Sequence, residues 1–282
     1  MKFFTTPYHF NLLKDHERLT VFHEAINDYY KRHINYDRMD VELEKLEKTI
    51  FDIGCGTGVL SFFASKYFKN IIAIDIDNKI IDCAKKSFEN ANISNNINFY
   101  CDDAINSNFQ EKADLIICEM LDTALIDEEE IPILNYLHKY LKDNGEIIPK
   151  GVINIAEPVF MERNNIHYED EFHDSNYEVL GNFIKYSEFD FSDLIDIEFE
   201  TILEFEIAID SKINGIKITT FTKLSQDIIS GPTPMMNPPL LIPLEEKSVG
   251  KGEKVKISLE YVMGGGLETI KASLIDLNCL IK

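Results

Sequence analysis

The chain has 282 residues, 45% of them hydrophobic, with 49 acidic against 28 basic side chains and a formal net charge of −21. That length supports one large domain or two modest ones with a sizeable core. The acidic balance argues against a nucleic-acid backbone as the main partner, because phosphate binding needs a basic face; it suits a cationic substrate, or it serves only solubility.

The first residues, MKFFTTPYHF, lack the apolar core of a signal peptide. No run of about 18 apolar residues occurs that would span a membrane, so a cytoplasmic protein without a membrane partner is expected. Of the five cysteines, Cys55, Cys101 and Cys118 fall in or beside predicted buried strands, while Cys83 and Cys279 lie elsewhere. They form no CxxC pair and have no metal spacing with histidine, so reduced core thiols and no metal site are expected.

Along the chain, Leu12, Leu13, Leu19, Phe22, Ile26 and Tyr30 recur at helical intervals over residues 10–35, and a short charged helix is predicted over 40–48. Strand 50–53 then runs into a glycine turn and helix 59–68. Strand 71–75, helix 78–91, strands 97–101 and 113–119, a helix near 130–142 and strand 146–148 follow. This alternation predicts a Rossmann-like, doubly wound parallel sheet of α/β class. Beyond Pro149 and Gly151 the stretches become β-branched and alternating, which predicts a second, mostly antiparallel unit. The irregular, acidic stretch 164–196 reads as a projecting insertion. Three units are expected: an N-terminal helical segment (1–48), a nucleotide-type domain (49–149) and a β-rich domain (150–282).

The first chemical feature is FDIGCGTG, residues 51–58. Gly54, Gly56 and Gly58 lie between strand and helix, where absent Cβ atoms let the chain turn and let a ligand approach. The GxGxG spacing differs from the dinucleotide fingerprint GxGxxG and matches methyltransferases that use S-adenosylmethionine. Asp52, just before the turn, offers an acceptor for a ligand amino group or an ordered water. Asp75, ending the second strand, can accept from both ribose hydroxyls. Asp103-Ala104, after the third strand, can receive the adenine amino group. The second feature is a pair of acids, Glu119 at the mouth of the fourth strand and Glu128 eight intervening residues later. Glu129 and Glu130 read more simply as the acidic first turn of a helix.

These motifs resemble the protein arginine methyltransferases, whose sequences carry two glutamates at this spacing after the fourth strand. HFNLLKDHER (9–18) resembles the family's stretch before its first strand. The resemblance covers residues 3–160 and implies a Rossmann-like domain followed by a C-terminal β-barrel-like domain. It implies S-adenosyl-L-methionine as cofactor, with His9 near it and Arg18 on its methionine carboxylate. It implies Asp15 beside the acceptor pocket, Glu119 and Glu128 clamping a guanidinium, a protein or peptide substrate with cationic residues, and a possible homodimer.

The sequence departs from the family in several places. Met120-Leu121-Asp122 stand where Trp-Met-Gly is usual, and the N-terminal aromatics are reduced to Phe3, Phe4 and Tyr8. The Thr-His-Trp triplet, whose histidine pairs with the acid matched by Asp15, is absent. PTPMMNPPLL (232–241) occupies its place, and its Asn237-Pro238-Pro239 reads as a turn or sheet edge. Methylation of another acceptor (RNA, a small amine, another protein side chain) and a non-catalytic cofactor-binding relative therefore stand as alternatives.

Overall fold

The computed structural model describes residues 1–34, 45–93, 96–169 and 176–275. Helix α1 (Pro7–Lys14) is capped by Thr6, with proline at its first position, where a missing N–H costs nothing. Asp15 separates it from α2 (His16–His33) and caps α2 by accepting the Arg18 N–H at 3.0 Å. Phe22, Ala25, Ile26, Tyr29 and Tyr30 form the buried stripe of α2, spaced as an amphipathic helix requires. Arg32 grips Glu146 with two nitrogens, at 2.6 and 3.0 Å, and so ties α2 to the far side of the sheet.

The sheet comprises β1 (Leu46–Ile53), β2 (Phe68–Asp75), β3 (Ile97–Cys101), β4 (Ala113–Cys118) and β5 (Leu141–Ile148), all parallel, in the order β3-β2-β1-β4-β5. Between them run α3 (Val59–Ser65), α4 (Asn78–Asn90) and α5 (Glu130–Leu137). The order reverses between β1 and β4, the switch point where such sheets bind ligands. Register matters here. Ile53 pairs with both Ile74 and Cys118, and Asp75 pairs with Cys101. The chain therefore leaves β1, β2, β3 and β4 at one level, and Gly54, Asp75 and Glu119 emerge at the same sheet edge.

Several expected boundaries shift. The short helix over 40–48 falls largely outside the described residues, and its final residues 46–48 open β1 instead. Phe68 belongs to β2, fully buried, rather than to the preceding helix. Helix α5 ends at Leu137, and β5 begins at Leu141, five residues before the predicted strand. Cys55 and Cys118 are buried as expected, but Cys101 is exposed, because β3 is an edge strand whose end opens to solvent. Cys279 and His173 lie outside the described residues.

The second half contains β6 (Gly151–Met161), β7 (His167–Tyr168), β8 (Tyr177–Val179), β9 (Ile184–Asp190), β10 (Glu198–Glu206), β11 (Ser211–Lys223), β12 (Ile229–Ser230), β13 (Leu240–Val249), β14 (Lys254–Val262) and β15 (Lys271–Ile275). Seven of these form one sheet along the path β7-β13-β11-β6-β8, with β12 on β11 and β9 on β6. Another sheet follows the order β10-β14-β15. The pairings are antiparallel. No closed barrel forms among the described residues. Of the acidic stretch 164–196, residues 170–175 lie outside the described residues, and the described part is less irregular than expected, because β7, β8 and β9 pair with β13 and β6. Among the described residues, no helix is long and apolar enough to cross a membrane.

Candidate active site

A cavity opens at the switch point, and its walls include Tyr8, His9, Arg18, Gly54, Gly56, Asp75, Glu119, Glu128 and Met235. The glycine turn forms its floor. All three glycines hold left-handed φ values of +66°, +52° and +75°, which L side chains adopt only with strain. At Gly56 a Cβ would come within 3.1 Å of the His9 ring. Helix α1 thus lies directly over the turn, and Thr6 fixes His9 at 2.7 Å from its Nδ1. Burial lowers the His9 pKa, which keeps the ring neutral beside the turn.

Asp75 accepts the Gly56 N–H at 2.8 Å on one oxygen and the Asp77 N–H at 2.9 Å on the other. Each oxygen retains a further lone pair for a ligand hydroxyl. Arg18 is buried and paired with Glu119, while one of its terminal nitrogens also donates to the Leu12 carbonyl at 3.3 Å. Burial works against the Arg18 charge, but Glu119 overcomes that and holds the guanidinium above its ordinary range. The Arg18 Nε is buried without a partner, so donor capacity for an anionic group remains in the wall.

The acids do not all behave alike. Burial raises the Glu119 carboxyl, and Arg18 pulls it back. Burial also raises Glu128, with Asp127, Glu119 and Glu129 adding to the effect. No side-chain ion pair engages Glu128 among the described residues. Asp52 is buried, bonded to the Ser61 hydroxyl at 2.5 Å, and burial pushes its pKa up to about 7; it is not part of the cavity wall. Asp103 spends its carboxylate on its own turn, accepting from the Ile105 N–H at 3.0 Å and the Asn106 side chain at 2.7 Å. Neither it nor Ala104 lines the cavity.

Asp15 meets residues that sequence reasoning passed over. One oxygen caps α2, and the other accepts from the Thr233 hydroxyl and from the Met235 N–H at 3.1 Å. The 232–241 stretch, which stands where the resembling family has its triplet, therefore reaches Asp15 with a hydroxyl and not an imidazole. Met235 lies in the wall of this cavity and of a neighbouring one of about 560 Å³, which Asp15, Tyr168, Glu169 and Pro238 also line. Two further acids have a larger part than their sequence positions suggested, although Glu130 does open α5 as expected. Glu130 is fully buried and accepts the Met120 N–H at 2.9 Å. Asp122, also buried, receives the N–H groups of Ile126, Asp127 and Glu128. An acid embedded in LDTALI is a legible signal for such a cap. Nothing local marks Glu130, which stands in a run of three acids.

The geometry gives a glycine-floored cavity, a strand-end carboxylate suited to a ribose and a buried cation suited to a carboxylate. Comparison with known proteins agrees. The family described as "Methyltransferase domain" matches residues 50–145. The chain superposes on a chain of the Trypanosoma brucei PRMT1 enzyme-prozyme heterotetrameric complex with AdoHcy at a TM-score of 0.73, covering 90% of this chain and 87% of that one at 17% identity. A ribosomal protein L11 methyltransferase of Thermoanaerobacter pseudethanolicus is 34% identical over 109 residues, which is 38% of this chain and 33% of that protein. The fold is that of a class I S-adenosylmethionine-dependent methyltransferase built like the protein arginine methyltransferases. Within that class, the chain belongs to one family with an uncharacterized protein of Methanothermobacter thermautotrophicus, 43% identical over 98% of this chain and 100% of that protein.

Proposed function

We propose that this enzyme methylates a guanidinium nitrogen of arginine in a cationic stretch of a protein. One observation carries the reading: Glu119 and Glu128 line the same cavity as Gly54, Gly56 and Asp75. S-adenosylmethionine, when bound, supplies a methyl group on a positively charged sulfur. The residues in favour of holding it are the glycine turn for its backbone-close portion, Asp75 for the ribose, Arg18 for the carboxylate and His9 as cover. Asp52, Asp103 and Ala104 lie outside the cavity wall, where Asp52 holds Ser61 and Asp103 orders its own turn.

A guanidinium stays charged and presents a planar fork of donors. Glu119 and Glu128 accept from two of its nitrogens and draw positive charge onto them. The third nitrogen keeps more of its lone pair. Holding it still supplies much of the acceleration, since alignment removes an entropic cost. As that nitrogen forms its new bond to carbon it becomes acidic and gives up a proton. Glu128 is the better receiver, because burial raises its carboxyl and no cation competes for it. Asp15, with both oxygens bonded, acts as a positioning residue.

A second reading is methylation of another protein group. The threonine beside Asp15 and the likeness to a ribosomal protein L11 methyltransferase favour it. The acidic balance weighs against RNA. Labelled methyl transfer to an arginine-glycine peptide, a lysine peptide and RNA separates these readings. Methylarginine in the acid hydrolysate is the expected product; label confined to lysine, an amino terminus or RNA overturns the arginine assignment.

A further inference from the structure

We propose that Asp122 and Glu130 form a buried cross-brace that sets the position of Glu119 relative to Glu128. The inference rests on the arginine-clamp reading and adds two positioning residues to it. The bonds are reciprocal. Glu130, two residues past the second clamp acid, accepts the N–H of Met120, the residue next to the first clamp acid, at 2.9 Å. Asp122, three residues past the first clamp acid, accepts the N–H of the second clamp acid, Glu128, at 3.3 Å. Each end of the loop is thus held by a carboxylate from its other end.

The rest of the loop is pinned as well. Asp122 also accepts from Ile126 N, Asp127 N and the Tyr168 hydroxyl at 3.1, 2.9 and 3.2 Å. Ala124 and Leu125 carry positive φ, at 60° and 63°, a costly conformation for residues with side chains. Such backbone persists only where its surroundings over-determine it. Here Ala124 N donates to the Thr220 hydroxyl, while Leu125 O and Ile126 O accept from Gly264 N and Gly266 N. Among the described residues no cation pairs with Glu130, and its carboxyl otherwise meets only the buried Cys118 thiol. A buried carboxyl of this kind is expensive, and its place beneath the Glu119–Met120 peptide is the service it performs.

The test is steady-state methyl transfer to the arginine-glycine peptide, with cofactor affinity measured on each variant by calorimetry. Asp122→Ala and Glu130→Leu are expected to lower kcat at least tenfold with cofactor Kd within about threefold of wild type. Glu130→Gln, which keeps an acceptor for Met120 N–H, is expected to restore kcat to within about threefold. Unchanged kcat in both disruptive variants overturns the brace. So does a cofactor Kd that weakens in step with kcat, because that marks general disruption. If wild type leaves the peptide unmethylated, the acceptor assignment falls by itself. The brace is then scored by hydrogen exchange: Met120 and Glu128 amides must lose protection in the variants while the Ile50–Ile53 amides keep theirs, and retained protection at both sites rejects it.

Discussion

At the scale of single residues, the two acids of the proposed clamp differ in what surrounds them, and that decides which one to mutate. Glu119 shares a buried ion pair with Arg18, so removing its charge strands a buried cation. Glu128 has no such partner among the described residues. Glu128→Gln should therefore lower kcat for methyl transfer by about a hundredfold or more, the usual scale for losing one charge-assisted contact to a transition state. Cofactor affinity should stay unchanged in a calorimetric titration. Asp75→Ala should do the opposite, weakening cofactor binding about tenfold or more by removing a carboxylate that also orders Gly56 and Asp77; unaltered titration heats would reject a ribose role. The glycines, Asp75 and the spaced glutamates were legible because backbone freedom and strand-end position leave marks in the sequence. Glu130 was not, since a charge run usually means a solvated surface and only tertiary packing buries this member of it.

At the scale of elements, helix α2 depends on a residue that two parts of the fold share. Asp15 caps the helix and also receives the Thr233 hydroxyl and the Met235 amide. Thr233→Val keeps the shape and removes the donor. It should cost about 1.5–3 kcal/mol, the scale of one hydrogen bond to a charged group, read as a lower thermal midpoint. Asp15→Ala should cost more, because the cap, typically about 1 kcal/mol, is lost as well; equal midpoints for both variants would dismiss the shared role. The order of strands and helices from β1 to β5 could be read from period and the glycine turn, whereas the break between α1 and α2 at Asp15 could not. Boundaries were less legible. Phe68 matches a helix period and a strand equally well, and pairing with Leu46 of β1 together with burial against Tyr29 and Tyr30 of α2 decides for the strand. Cys101 looked buried because its strand is apolar in character, yet the strand's place at the sheet edge, which no local pattern encodes, exposes it.

At the scale of the whole molecule, buried acids make stability depend on pH. Burial holds both Asp52 and Asp122 at about 7, against an ordinary 3.8. The folded state therefore keeps protons that the unfolded chain releases between about pH 4 and pH 7. Their contribution is complete below about pH 4 and declines as pH rises through 7. Glu119, Glu128 and Glu130 are raised too, and act in the same direction. Asp114 and Glu146 oppose them at the acid end. Burial notwithstanding, Lys142 and the Thr49 N–H hold Asp114 below its ordinary value, and Arg32 does so for Glu146, so their share is lost in strong acid. The urea midpoint should be higher at pH 5 than at pH 8 by the equivalent of a few kcal/mol at most. Asp52→Asn should flatten that slope, and a midpoint that climbs toward pH 8 would refute the account.

The loop from Glu119 to Glu130 is sequence of the first half, yet its tip hangs from Thr220, Gly264 and Gly266 of the second. The geometry of the proposed clamp is thus common property of the two halves, and they are not interchangeable modules. Evolution could reshuffle acceptor preference by swapping the β-rich half only with a donor that brings a hydroxyl and two turn amides to matching places. A change at Thr220, Gly264 or Gly266 is therefore felt at a loop that lies about a hundred residues or more away in sequence.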